Sequence, residues 1–356
     1  MQALKFYAGK TARSTIRQHG LKPELFSAIL GASGGPKWFS LTGLDKVIFP
    51  QFFVNHKQHI DIMGSSAGAF RAACMMQDNV AEAIDRLAMR YSATEYSEKP
   101  SNREITEKGK ALLAYMLGDK GVTEILKQAN RSVHFFVAHC HGWVSSENTK
   151  KQTLGLLKAA SRNLISRKHI ASHFTRAVFS SAPNTKLFID EDNIPSDFYQ
   201  LDQQNLMSAL MASGSIPIVL EGVENIPNAK PGMYRDGGII DYHFDLRLQT
   251  PGLVMYPHFY STPTPGWFDK NIKYRQCRES SYDNVLMLVP SDEFVASLPY
   301  GKIPDRKDFE TMPAAQRIAY WRQVIAETDR LGEEFLAAAE QGKIMDLIEP
   351  INLARR

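Results

Sequence analysis

Three short segments carry residue types and spacings that suit acyl-transfer chemistry. The first is Gly64-Ser65-Ser66-Ala67-Gly68, a G-x-S-x-G run between the strand-like stretch 59–63 and the small-residue segment 67–76. A nucleophilic serine has to stand on a tight strand-to-helix turn, and glycines on either side remove the Cβ atoms that would clash there. Ser66 is the candidate nucleophile, with Gly64 and Gly68 as its space-making neighbours.

The second segment is Ser33-Gly34-Gly35-Pro36-Lys37, at another strand-to-helix junction about thirty residues earlier. Proline favours the first helical position, so Gly35 is expected to cap the helix and leave unpaired N–H groups facing an anion. Pro36 has no N–H. The candidate oxyanion donors are therefore the amides of Gly34, Gly35 and Lys37, joined by Ala67, which follows the nucleophile. The Walker spacing G-x-x-x-x-G-K-[ST] and the dinucleotide spacing G-x-G-x-x-G are both absent. The third segment, Arg235-Asp236-Gly237-Gly238, offers a carboxylate followed by two glycines that permit a tight backbone path. Asp236 is the candidate base. A solvated aspartate is too weak a base to activate a serine, so burial is expected to raise its pKa. Each segment alone also fits a plain glycine or Asp-Gly turn.

Taken in order, the three motifs resemble the patatin-like phospholipase family, whose pattern is a glycine-rich loop with a basic residue, then G-x-S-x-G, then D-G-[GA]. The run Ala212-Ser213-Gly214-Ser215-Ile216-Pro217 is similar to the A-S-x-x-x-P stretch that precedes D-G-[GA] there. The four matches span residues 31 to 238. The resemblance implies a three-layer α/β/α sandwich around a mainly parallel sheet, a Ser66–Asp236 dyad, no cofactor, and hydrolysis of lipid carboxylic esters. Phospholipid, lysophospholipid and glyceride all remain open as substrates. Four positions depart from the pattern: Ser33 and Trp38 stand where the family has glycines, and Tyr242 and Phe244 where Asn and Pro often follow D-G-G. Trp38 raises the question of how wide the site is.

Two rival readings come from the same residues. His243 and His258 lie downstream of Ser66 and could complete a Ser-His-Asp triad, although only one confident strand is seen before the strand leading to Ser66. The altered loop also admits a catalytically silent lipid-binding or regulatory protein. His139 and His141 alternate onto one strand face, but without a nearby acid or thiol no metal is expected.

The elements that must position these groups read as strand 26–30, helix from 36, strand 59–63 and helix 67–76, a βαβα start that implies a parallel sheet. Mainly helical sequence follows over 80–130. A strand is expected at 133–140, a helix at 151–170, and further strands at 177–180, 186–189, 239–244 and 285–289. A helix over 314–342 is expected to close at Gly342. One elaborated domain over 1–356 is anticipated, with its core at about 24–300 and a helical segment at about 305–345 packed on it.

The chain has 356 residues, 44% of them hydrophobic and 22% charged, and a net charge of +4. This excludes disorder and a disulfide scaffold, and gives no reason to expect a nucleic-acid partner. Three cysteines, Cys74, Cys140 and Cys277, without paired spacing favour a reducing compartment. With no signal-like or spanning apolar run, a cytoplasmic location is expected. Between residues 150 and 176 there are seven Lys or Arg and no acid, interleaved with Leu154, Leu157, Leu164 and Ile165. That basic amphipathic stretch fits either a core-packed helix with a solvated side or a peripheral contact with an anionic membrane surface. Trp267 and Phe268 are a second candidate interfacial element.

Overall fold

Apolar runs without polar alternation, such as Phe26–Gly31 and Val285–Pro290, are buried along their whole length, as strands covered on both faces must be. The computed structural model describes residues 2–182, 186–340, 342 and 344–354. Its strands in chain order are β1 (Leu4–Ala8), β2 (Phe26–Gly31), β3 (Ile60–Ser65), β4 (Arg131–Cys140), β5 (Phe174–Ser180), β6 (Phe188–Ile189) and β7 (Ser196–Gln200). They continue as β8 (Val223–Glu224), β9 (Met233–Asp236), β10 (Arg247–Leu248), β11 (Leu253–Pro257), β12 (Val285–Pro290) and β13 (Ile348–Pro350). Eleven of them form one sheet in the order β13-β1-β12-β11-β2-β3-β4-β5-β7, with β9 on β4 and β8 on β9. Strands β6 and β10 pair separately. The main sheet is mostly parallel and carries helices on both faces, a three-layer α/β/α arrangement.

Helices α1 (Lys10–His19), α2 (Thr42–Val47), α3 (Ala67–Met75), α4 (Val80–Ser92), α5 (Asn102–Leu117), α6 (Gly121–Lys127), α7 (Thr149–Ile165) and α8 (Leu206–Ser213) include those that frame the site. The S-x-x-E start of α5 is an N-cap, with Ser101 Oγ accepting from Glu104 N–H at 3.1 Å. A buried bidentate pair, Arg71 to Asp45 at 2.7 Å for both contacts, locks α3 to α2.

Several expectations shift. The chain already contains β1 and α1 before residue 26, so the strand leading to Ser66 is the third, and the sheet reaches beyond residues 24–300 at both ends. The helix from 36 begins as a 3-10 turn over Gly35–Leu41, capped by Gly34 rather than Gly35. The helix at 151–170 ends at Ile165. The expected strand 239–244 does not form; its place beside β4 is taken by Met233–Asp236, so the chain must turn at Gly237 instead of continuing extended. The helix over 314–342 is two helices, Ala314–Glu327 and Asp329–Glu340. They break at Thr328, whose Oγ1 accepts from Gly43 N–H at 2.9 Å. Gly342 takes a left-handed φ of 63°. Among the described residues, no helix is long and apolar enough to cross a membrane.

Candidate active site

Strands β2 and β3 run parallel, with Gly31 opposite Gly64, and both stop at the same carboxyl edge of the sheet. There the chain reverses into α3 through Ser66, which sits at φ 55° and ψ −128°, a conformation L-residues rarely adopt. The turn is tight because three backbones converge on it. A Cβ on Gly64 would lie 2.3 Å from Gly68 O, and one on Gly68 would lie 1.8 Å from Gly31 O. The G-x-S-x-G glycines are thus required by close approach, and the positive φ falls on the serine itself.

Strand β3 ends with Ser65 opposite Phe136 of β4, while antiparallel β9 ends with Asp236 opposite Val137, the next residue along. The two strands share one lane beside β4 and meet end to end. Across that junction Ser66 Oγ donates to Asp236 Oδ2 at 2.7 Å. The other carboxylate oxygen, Oδ1, accepts from Gly238 N–H at 2.7 Å, and so fixes the carboxyl plane. Gly237 and Gly238 have no room for side chains: a Cβ would fall 2.0 Å from Phe136 O or 2.4 Å from Ser33 Oγ. Burial pushes the Asp236 carboxyl above its ordinary value, against the opposing pull of the Ser66 and Gly238 hydrogen bonds and the cations Arg306 and Lys270.

The glycine-rich loop closes the third side. Gly34, Gly35 and Ala67 donate no backbone hydrogen bond among the described residues. The Lys37 N–H donates to Gly34 O at 3.4 Å within the 3-10 turn, and Lys37 lines the cavity. The Lys37 ammonium pairs with Asp305. Ser33, where the family pattern has glycine, ties two loops together. Its Oγ bonds to Ser65 Oγ at 2.7 Å, and Ser65 Oγ donates to the Asp241 carbonyl at 2.7 Å. Together with Ser33 N–H to Tyr242 O at 3.0 Å, this stitches the glycine loop to the turn after Asp236. Trp38 is buried against Phe39, away from the cavity, and does not narrow it.

Motif reasoning missed two positioning groups. Ser213 Oγ accepts from Ser66 N–H at 2.9 Å and donates to Phe136 O at 2.8 Å, while Ser215 O accepts from Asp236 N–H at 3.0 Å. The Ala212–Pro217 run thereby holds both partners, which the likeness of that run to A-S-x-x-x-P hinted at without a mechanism. The second group is basic: Arg176 grips Asp241 at 2.7 and 2.9 Å, and Arg167 donates to Ile240 O at 2.6 Å, bracing the D-G-G turn from behind.

A cavity of about 240 Å³ opens over Ser66 and Asp236. Its rim is cationic, with Lys37, Lys270, Arg306 and Lys307 against Asp305, and Trp267 and Tyr242 supply aromatic wall. Desolvation, with repulsion from Arg306 and Lys37, lowers the Lys270 ammonium to about 8; its Nζ lies 4.0 Å above the Tyr242 ring. Trp267 lines the cavity and Phe268 packs near Phe174 at 6.2 Å; both are half-buried. His243 and His258 line no part of this cavity. They stack edge to face at 4.3 Å, Nδ1 of His243 accepts from Thr264 N–H, and burial lowers both, His258 to about 3. His139 and His141 do share a face, with ring centroids 4.8 Å apart. Among the described residues, no group of three or more His, Cys, Asp or Glu could hold a metal ion.

No protein-family model matches the chain. A search of curated proteins finds no match either. Among solved structures, VipD from Legionella pneumophila is similar over 66% of this chain and 50% of its own, at 13% identity and a TM-score of 0.30. Human GIVD cytosolic phospholipase A2 is similar over 94% of this chain and 62% of its own, at 11% identity and a TM-score of 0.36. The chain thus spans between half and two thirds of the length of these proteins.

Proposed function

We propose that this chain is a serine acyl-hydrolase acting on carboxylic esters of lipids, patatin-like in its chemistry, with Ser66 as nucleophile and Asp236 as its base. The observation that carries the reading is the 2.7 Å hydrogen bond from Ser66 Oγ to a buried carboxylate whose pKa is raised. A serine on a strained turn, hydrogen-bonded to a buried carboxylate, is a costly arrangement to keep for structure alone.

In this mechanism Ser66 Oγ attacks the ester carbonyl carbon while its proton passes to Asp236 Oδ2. The carbonyl oxygen becomes an oxyanion, met by the N–H groups of Gly34, Gly35 and Ala67, where each donor is worth about 3 to 4 kcal/mol in the transition state. Collapse breaks the ester C–O bond, and the departing alcohol takes the proton from Asp236. Water then repeats the sequence on the acyl-enzyme: Asp236 accepts its proton, its oxygen bonds to the acyl carbon, and Ser66 leaves reprotonated. No step needs a histidine or a metal.

The experiment is ester turnover by the wild-type chain, Ser66→Ala and His243→Ala, using a series of acyl chain lengths presented above and below micelle formation. The proposal expects turnover to vanish in Ser66→Ala and persist in His243→Ala. Retention of turnover by Ser66→Ala would refute it.

A further inference from the structure

Helix α7 is amphipathic in the opposite sense to an ordinary surface helix. Its buried residues are Gln152, Gly155, Leu156, Ala159 and Asn163. Two of these are polar and serve as anchors: Gln152 Oε1 accepts from Ile218 N–H at 2.6 Å, and Asn163 Nδ2 donates to Asp269 at 2.6 Å. The opposite side exposes Leu154 (54%), Leu157 (62%), Leu164 (54%) and Ile165 (78%). At helical spacing these four fall within about 100° of one another, directly away from the buried face. Lone exposed leucines need no explanation, but a four-residue stripe on a helix that buries Gln and Asn does.

The charge around the stripe identifies its occupant. Of the seven cations between residues 150 and 176, Arg167 and Arg176 are consumed inside the fold by Asp192, Asp269, Asp241 and Asp190. Lys150, Lys151, Lys158, Arg162 and Lys168 are exposed, and among the described residues none of the five makes an ion pair. Lys150 lies within the stripe, and Lys158, Lys151 and Arg162 run along one flank. One aromatic residue borders the C-terminal end of the stripe: Tyr274, 70% exposed, whose Oη donates to Leu164 O at 3.1 Å. Apolar residues flanked along one side by cations that make no ion pair, with Tyr274 at one end, match the layers of an anionic lipid surface: acyl boundary, headgroup charge and interface. A second copy of this face would set like charges against one another.

We infer that the exposed face of α7, centred on Leu157 and Ile165, docks the protein on an anionic lipid bilayer. This goes beyond the hydrolase reading and does not depend on it. The docked helix is nonetheless tied to the cavity, because Asn163 grips Asp269 in the same turn that presents Trp267 to the cavity over Ser66.

The test is co-sedimentation with phosphatidylcholine vesicles with and without phosphatidylglycerol. The wild-type chain should bind the anionic vesicles, more weakly as salt rises, and bind pure phosphatidylcholine at least about tenfold less. Leu157→Asp with Ile165→Asp should lower anionic binding at least about tenfold while circular dichroism and the melting temperature stay unchanged. Ser66→Ala should bind vesicles normally, so loss of the hydrolase reading and loss of this one give different results. Equal binding by the double Asp variant, absence of binding to anionic vesicles, or conversion of a dimer to a monomer by that variant would each overturn the inference. The last result would assign the face to a second copy of the chain.

Discussion

Ser66 and Asp236, 170 residues apart in sequence, are brought together at 2.7 Å by a shared lane of the sheet: β3 ends opposite Phe136, and β9 ends opposite Val137. Neither residue reaches across a flexible loop to the other. Their separation is set by one residue of β4 register, so the pair is held as rigidly as the ladder that carries it, as the proposed proton transfer would require.

Asp236→Asn should raise stability at neutral pH while removing turnover. The unfolded carboxyl titrates near about 3.9, and burial holds the folded one higher. Between those values the folded chain binds more protons than the unfolded chain, so stability falls as pH rises through that window. Above it the ionised carboxylate burdens the fold, and the amide does not. Thermal melts of both chains at neutral pH and below about pH 4 should show the advantage of Asn disappearing in acid.

Ser66→Gly should be more stable than Ser66→Ala by about 1 kcal/mol, even though both lack the hydroxyl. The φ of 55° and ψ of −128° strain any side chain and suit glycine, whose greater unfolded entropy offsets only part of the gain. Denaturant melts of the pair measure the difference.

Ser213→Ala should lower kcat by about tenfold to a hundredfold, because the Ser66 amide loses its acceptor and the elbow is free to shift. KM should change little. Ser213→Thr, which restores a hydroxyl, should recover most of the rate; a loss of folding instead would show as a lowered melting temperature in both variants.

For an anionic ester, kcat/KM should decline as pH rises through about 8, where Lys270 loses its charge at the cavity rim. A neutral ester of the same chain length should lack this limb. Lys270→Arg should move the decline to higher pH, since the guanidinium stays protonated.

The fold class and the glycines of the motifs are legible in the sequence, and the bounds of individual strands are less so. G-x-S-x-G and D-G-G declare themselves because steric demands at Gly68 and Gly237 leave glycine no substitute. The strand after D-G-G was misplaced because apolar Ile239 and Ile240 look extended, while the true strand, Met233–Asp236, holds the buried polar Arg235 and Asp236. Strand β1 was invisible for another reason: five residues with alternating burial beside a cationic helix give little signal until β12 and β13 pair with them. The role of Ser213 depends on three separate segments meeting, which no local pattern encodes. Leu154, Leu157, Leu164 and Ile165 could be placed on one face by spacing, but which way that face looked had to come from packing.

The most direct test of the account is the site of a covalent adduct. Treated with a fluorophosphonate probe, the wild-type chain should gain one phosphonyl group, and tandem mass spectrometry of its peptides should locate it on Ser66 Oγ, with no adduct in Ser66→Ala. An adduct on any other residue, or labelling that persists unchanged in Ser66→Ala, would contradict it.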